Sequence, residues 1–258
     1  MRRNNSGGVR ELASAQDAGL YTRNGHLAPV RLRFYQAHPV VIVQLRDLVQ
    51  DLVHADGRRR LGRVVARLHV VGSREGSSSR VYLHPSDSTA EDIDQLREGE
   101  FVTDKYRHEF AEVTEEILAQ IVPLFDDCEA IRIHGDCHRG NLLERPGEGI
   151  LVIDFDDMAE GPPVQDLWML LPDHLDKARR EVNLILEGYE DFREFDDRSL
   201  RLIEPLRVMR ILYFLAWCSR QCDDPNFHRN FPDWGSDAFW YREIADLRKQ
   251  QRVIAEHL

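Results

Sequence analysis

The sequence predicts an α+β fold in which helices dominate and one short hairpin sits near the centre. Two observations lead there. Apolar residues recur at helical spacing around 61–68, 110–121, 182–189 and 202–215, and two short β-type runs, 142–144 and 150–155, flank a Pro- and Gly-containing reversal at 145–149. A chain of 258 residues with 42% apolar composition is long enough for one large domain or two lobes.

Taken in order, residues 1–38 show neither period and carry turn signals at Gly7-Gly8 and Asn24-Gly25. Residues 40–43 are predicted to form a buried strand. Leu45, Leu48, Val49, Leu52 and Val53 then follow at helical spacing, for a helix ending near Gly57. Leu61, Val64, Val65 and Leu68 mark a second helix closed by Gly72, before a Ser-rich loop at 73–79. Phe110, Val113, Ile117, Leu118 and Ile121 mark a third that Pro123 ends, so two helices are expected between Gly57 and the hairpin region. Beyond 175, Val182, Ile185, Leu186 and Tyr189 define one helix, and Leu202, Leu206, Met209 and residues 211–215 another, apolar almost all round and so expected in the core. A last helix is expected from about Ser236 to Glu256. Phe227, Phe231, Trp234, Phe239 and Trp240 are expected to pack as one aromatic cluster.

Charge and cysteine content exclude several classes. A net charge of -11 argues against a general nucleic-acid binder, which needs clustered positive charge. Residues 1–70 hold 12 Arg against 5 acids, but the chain uses Arg over Lys throughout, with only Lys105, Lys177 and Lys249, so the bias reads as compositional rather than as a basic arm. No apolar run approaches the roughly 20 residues of a membrane span, and the start lacks the apolar stretch of a secretory signal, which gives a cytoplasmic expectation. Cys128, Cys137, Cys218 and Cys222 have neither disulfide-framework nor metal-pair spacing, and read as free thiols.

The chemistry concentrates in His134-Gly-Asp136-Cys-His138-Arg-Gly-Asn141, followed by Asp154-Phe-Asp156-Asp157. If the hairpin turn centres between Gly147 and Glu148, Asn141 and Asp154 face each other. An amide carbonyl and a carboxylate converging on one point suit a hard, oxygen-seeking ion such as Mg²⁺. Asp156, expected on the same strand face, is a possible additional ligand. Asp136, in the loop leading into the hairpin, is placed to take a proton from, or orient, an attacking hydroxyl. His134 is read as orienting the loop, while His138 either touches substrate or braces the turn. Asp166 lies in an apolar run, where an unpaired carboxylate is very costly. It is expected to hold the loop through backbone amides, with an exposed surface position as the alternative.

The stretch HGDCHRGNLL…VIDFDD resembles the motifs of the aminoglycoside phosphotransferase and choline kinase group, whose fold is protein-kinase-like. HGDCHRGN, GPPVQDLWMLLP, EGYEDFREFD, LIEPLRVMRILYFLAW and DPNFHRNFP further resemble the bacterial stress-response Ser/Thr protein kinases, from about Arg58 to the last residue. The resemblance implies Asp136 as catalytic base, Asn141 and Asp154 as Mg²⁺ ligands, ATP as phosphoryl donor, and a Ser/Thr-bearing protein as acceptor. A monomer without nucleic-acid or membrane partners is expected. A small-molecule kinase acting on an aminoglycoside, choline or homoserine is the alternative, since the transfer machinery says little about the acceptor.

One departure from the pattern is visible. Kinases of this type place a mostly β lobe of about 90 residues, with a glycine-rich turn and a phosphate-pairing lysine, ahead of the helix resembling 61–69. Here no lysine precedes Lys105 and no Gly-x-Gly-x-x-Gly occurs. The expectation is therefore an incomplete or atypical N-terminal segment at 1–56, poorly ordered over its first fifty or so residues, and a mostly helical C-lobe at 57–258 carrying the catalytic and metal-binding residues. Such a chain should bind ATP·Mg²⁺ weakly and turn over slowly, and an inactive remnant is a third reading.

Overall fold

A computed structural model of the chain describes residues 54–257, apart from 75, 77, 78, 146–148 and 225. The expected strand at 40–43, the helix across 45–53 and all but the last three residues of the 1–56 segment lie outside the described residues.

Helix α1 (Ala55–Gly72) runs unbroken through Gly57, so no helix ends there. A single glycine costs roughly 1 kcal/mol against alanine but does not break a helix by itself. Along its length α1 packs on α5 (Arg179–Tyr189), and the two backbones approach so closely that only glycine fits. A Cβ on Gly62 would stand 1.9 Å from the Ile185 carbonyl oxygen, and one on Gly188 would stand 1.9 Å from that of Arg59. Arg58–Glu181, Arg59–Glu187 and Arg63–Asp191 pairs at 3.0, 2.6 and 2.6 Å rim this contact. The closely packed apolar interior, rather than these part-exposed pairs, supplies the larger stabilisation.

Two further helices, not one, separate α1 from the loop at 134–141: α2 (Ala90–Glu98) and α3 (Asp104–Ile121). The sequence conceals α2 because it buries only Ile93 and Leu96, too few to set a period. A strand pair also went unforeseen. β1 (Ile131–Ile133) pairs antiparallel with β4 (Ala159–Gly161), and at three residues each they are too short for their alternation to stand out in the sequence.

Between them lies the expected hairpin of β2 (Leu142–Arg145) and β3 (Gly149–Val152), with a register one residue from that expected. Arg145 pairs with Gly149 and Leu142 with Val152, because three residues rather than two separate the last ladder pair. The Ile153 amide donates to the Asn141 carbonyl at 2.9 Å, so Asn141 stands beside Ile153 and does not face Asp154 across the ladder. Past β3 the chain leaves extended geometry. Asp154 takes a left-handed φ of +65° and Asp156-Asp157 form a turn, so Asp156 does not share a strand face with Asp154.

The remaining α-helices of the described residues are α4 (Gln165–Trp168), α6 (Ile203–Gln221), α7 (Phe227–Asn230) and α8 (Asp237–Glu256), the last capped by the Ser236 hydroxyl accepting from the Phe239 amide at 3.1 Å. As its composition predicts, α6 is buried on most sides, through Leu206, Val208, Met209, Leu212, Leu215 and Ala216. The aromatic cluster forms as expected, with Phe227 and Phe231 stacked at 4.7 Å and Trp234 edge-on to Phe239 at 4.8 Å. No helix of the described residues is long and apolar enough to cross a membrane.

Glu204, buried in the first turn of α6, ties this helix to the segment before α5 and to α8. Its carboxylate meets His174 Nδ1 at 2.7 Å, the Leu175 amide at 3.0 Å, Gln250 Nε2 at 2.8 Å and Arg207 Nε at 3.2 Å. Burial alone would raise its pKa, but the His174 hydrogen bond, the Arg207 charge and Gln250 outweigh it and bring the group to about 2, against 4.5 ordinarily. A depressed folded pKa gives stability that is present above pH 4.5 and lost as pH falls toward 2. Urea unfolding followed down this window should lose roughly 2–3 kcal/mol, a loss that Glu204→Gln flattens. An unchanged slope in the variant would assign the acid sensitivity elsewhere.

Candidate active site

The loop from His134 to Asn141 joins β1 to β2, and its shape is imposed from behind. Gly135 has a φ of +83°, and a Cβ there would lie 2.2 Å from the Asp157 carbonyl oxygen, so both conformation and space require glycine. Asp166, at the start of α4 and fully buried, accepts the His134 amide on Oδ2 at 2.7 Å and the Gly135 amide on Oδ1 at 2.9 Å. Gln165 beside it donates to the Gly135 carbonyl at 2.8 Å and accepts from Trp168 Nε1 at 2.8 Å.

Asp166 has a third partner on α1. His69 Nε2 lies 3.0 Å from Oδ2, His69 Nδ1 lies 2.9 Å from the Tyr189 hydroxyl, and Arg193 donates to that hydroxyl at 3.0 Å. Burial pushes the Tyr189 pKa up to about 12, against the pull of Arg193, so the hydroxyl keeps its proton. Arg193, which can only donate, Tyr189, His69 and Asp166 thus form one continuous chain of hydrogen bonds. Helices α1, α4 and α5 are thereby locked to the loop through one carboxylate.

Within the loop, His134 turns Nε2 to the Ile153 carbonyl at 2.9 Å and packs its ring on Phe155 at 4.8 Å, which braces the loop against the chain leaving β3. His138 accepts the Gly140 amide on Nδ1 at 2.9 Å, so its proton sits on Nε2, 3.4 Å from Asp136 Oδ2. Asn141 donates Nδ2 to the Asp136 carbonyl at 2.9 Å and approaches Asp136 Oδ2 at 3.4 Å. A carbonyl only accepts, so the amide orientation is fixed and Asn141 Oδ1 turns away from Asp136. Asp136 itself is almost fully buried, with Oδ1 2.7 Å from the Arg210 guanidinium on α6.

Asp154, Asp156 and Asp157 are all exposed beside this loop. Although Asp157 reaches solvent, its partial desolvation against the neighbouring chain, and after it the charge of Asp136, raise its pKa, while Arg210 opposes the shift and Asp154 and Asp156 add to it. Asn141 Oδ1 and the Asp154 and Asp156 carboxylates are hard oxygen donors of the kind a divalent cation takes. Among the described residues no cluster of three or more His, Cys, Asp or Glu side chains could hold a metal by itself. An ion such as Mg²⁺ keeps waters and draws further ligands from phosphates, so it asks for only one or two such protein ligands.

Arg210, His69, Tyr189 and Gln165 were not singled out from the sequence. Gln165 adjoins Asp166, but nothing local distinguishes Arg210 or His69, which reach the loop only through the packing of α6 and α1.

A buried aspartate in an amide-anchored loop, with an asparagine five residues on and an acidic segment after a hairpin, is the arrangement this fold presents. The chain belongs to the phosphotransferase enzyme family (APH), whose model matches residues 42–203. It is 35% identical over 202 residues to Stress response kinase A of Escherichia coli K12, and 34% identical over 202 residues to the serine/threonine protein kinase RdoA of Salmonella typhimurium LT2. Each alignment covers 78% of this chain and 61% of the relative, so the chain spans about three-fifths of their length. Among solved structures it is similar to an amicoumacin kinase in complex with AMP-PNP and Ca²⁺ (TM-score 0.53, 18% identity, 75% of this chain and 57% of that one). A microcompartment-associated aminopropanol kinase is also similar (TM-score 0.51, 18% identity, 79% and 62%). The protein-kinase-like fold with its mostly helical C-lobe agrees with the class read from the sequence.

Proposed function

We propose that this chain provides the acceptor-activating and metal-binding residues of an ATP- and Mg²⁺-dependent phosphotransferase, acting on Ser/Thr hydroxyls of a protein in the cytoplasm. The observation that carries the reading is the setting of Asp136, a buried carboxylate in a loop whose amides end on Asp166 and whose oxygens face His138, Asn141 and Arg210. Such a group can accept the proton of an attacking hydroxyl, or hold that hydroxyl in line, without moving itself. Asn141 and Asp154, with Asp156 as a further donor, would hold the divalent cation, which supplies charge neutralisation on the nucleotide phosphates. His134, His138 and Asp166 orient the loop. The AMP-PNP and Ca²⁺ of the amicoumacin kinase support a nucleotide with a divalent ion as the donor. The similarity to Stress response kinase A and to the serine/threonine protein kinase RdoA favours a protein acceptor.

A small-molecule acceptor is the second reading, favoured by the two solved neighbours, kinases named for aminopropanol and amicoumacin. Transfer from labelled ATP to a protein extract and, separately, to a panel of amino alcohols separates the two, with label on protein Ser/Thr expected. Calorimetric titration with ATP·Mg²⁺ tests donor binding by the same chain.

The metal assignment has its own test. Asn141→Ala and Asp154→Ala should each raise the Mg²⁺ concentration needed for half-maximal transfer by about tenfold or more, as loss of one of few protein ligands implies. They should also weaken Mn²⁺ binding in the presence of AMP-PNP, read by electron paramagnetic resonance. Unchanged Mn²⁺ affinity in both variants would place the ion elsewhere.

A further inference from the structure

Arg210 reaches the site from α6, far along the chain from the loop it touches. Its Nη2 lies 2.7 Å from Asp136 Oδ1, while Nε2 of His138 and Nδ2 of Asn141 stand 3.4 Å from Oδ2. The shortest of these three contacts on the carboxylate therefore comes from outside the motif, as an ion pair between two full charges. The guanidinium is held in turn. It lies over the Tyr213 ring at 5.0 Å, one helical turn on, and Arg220 lies 5.7 Å from the same ring. Arg210 and Tyr213 also line a cavity of about 290 Å³, together with Asp156, Asp157, Ser88 and Met209, beside the catalytic loop.

We propose that Arg210 is the positioning residue of Asp136, setting the rotation of its carboxylate by binding Oδ1 and so presenting Oδ2 to the acceptor hydroxyl. A carboxylate free to turn about its Cβ–Cγ bond would spend part of its time misaimed, and small misplacements at a reacting centre are costly in rate. His138 and Asn141 stand farther from the carboxylate, at 3.4 Å from Oδ2, and hold it less tightly. The proposal rests on Asp136 being the base.

The test is a kinetic cycle on the full chain with Arg210→Ala, Arg210→Lys, Asp136→Asn and the Asp136→Asn/Arg210→Ala double variant. Arg210→Ala should lower kcat by about 10- to 100-fold while leaving KM for ATP and nucleotide affinity within about twofold. Arg210→Lys, which keeps the charge, should fall between the two. Guanidinium chloride at low millimolar concentration should restore part of the Arg210→Ala loss, because the open cavity beside the vacated position admits the ion; a residue that only supports the fold would not be rescued. In the Asp136→Asn background Arg210→Ala should cost nothing further. A crystal structure of Arg210→Ala should show the Asp136 carboxylate turned from its present orientation. Full kcat in Arg210→Ala, or an equal loss in the Asp136→Asn background, would overturn the proposal. Full activity of Asp136→Asn alone would instead remove the reading of Asp136 on which it stands.

Discussion

Replacing Asp136 with alanine is expected to abolish most phosphotransfer while leaving nucleotide affinity nearly unchanged. The expectation follows from where the carboxylate sits. It is buried, its main-chain carbonyl is tied by the His138 amide at 2.8 Å and Asn141 Nδ2 at 2.9 Å, and its side-chain oxygens lie among donors at the end of an anchored loop. General bases contribute about 10²- to 10⁴-fold, so kcat should drop by roughly 10³. Alanine also frees Arg210, but that guanidinium retains some solvent access, with 26% of its side chain exposed, so the unpaired charge does not unfold the site. Asp136→Asn keeps the volume and removes the charge, and separates the two effects. Steady-state transfer from labelled ATP beside calorimetric titration with AMP-PNP measures both quantities. A loss of nucleotide affinity as large as the loss of turnover would make Asp136 a metal ligand or a structural group.

The second large effect is on folding. Asp166→Ala should destabilise the protein by about 3–5 kcal/mol, since each buried donor left unsatisfied costs about 1–3 kcal/mol and three converge on this carboxylate. That is a large share of the 5–15 kcal/mol typical of a folded domain. Water can solvate none of the three cheaply at a fully buried position. Asp166→Asn keeps one accepting oxygen and should lose less. Urea unfolding by circular dichroism gives the comparison, and a loss below 1 kcal/mol for Asp166→Ala would mean that the loop amides find other acceptors. Tyr189→Phe probes the same chain of hydrogen bonds from its far end.

The residues most legible in the sequence were those whose geometry is local. Asp136 and Asn141 share one turn-rich loop, the hairpin after them is marked by its own Gly and Pro, and Asp166 announced a buried role by lying in an apolar run. Helices with a full apolar stripe, such as α3 and α6, were legible for the same reason. The hairpin register was not, because a three-residue connection and a two-residue turn differ by one position, and neither Leu142-Leu143 nor Ile150-Leu151-Val152 alternates to choose between them. Nor was α2, whose two buried residues set no period. Arg210 and His69 were hidden for a different reason. One is an arginine among 31 and the other a histidine among 11, and their partners are chosen by helix packing rather than by spacing.

The most direct measurement is a crystal structure of the chain with AMP-PNP, Mg²⁺ and an acceptor peptide. A carboxylate oxygen of Asp136 should lie about 2.6–3.2 Å from the acceptor hydroxyl, and a Mg²⁺ on the nucleotide phosphates should be bound by Asn141 Oδ1 and the Asp154 carboxylate at about 2.0–2.1 Å. A metal held without Asn141 and Asp154, or an acceptor hydroxyl bound away from Asp136, would contradict the account.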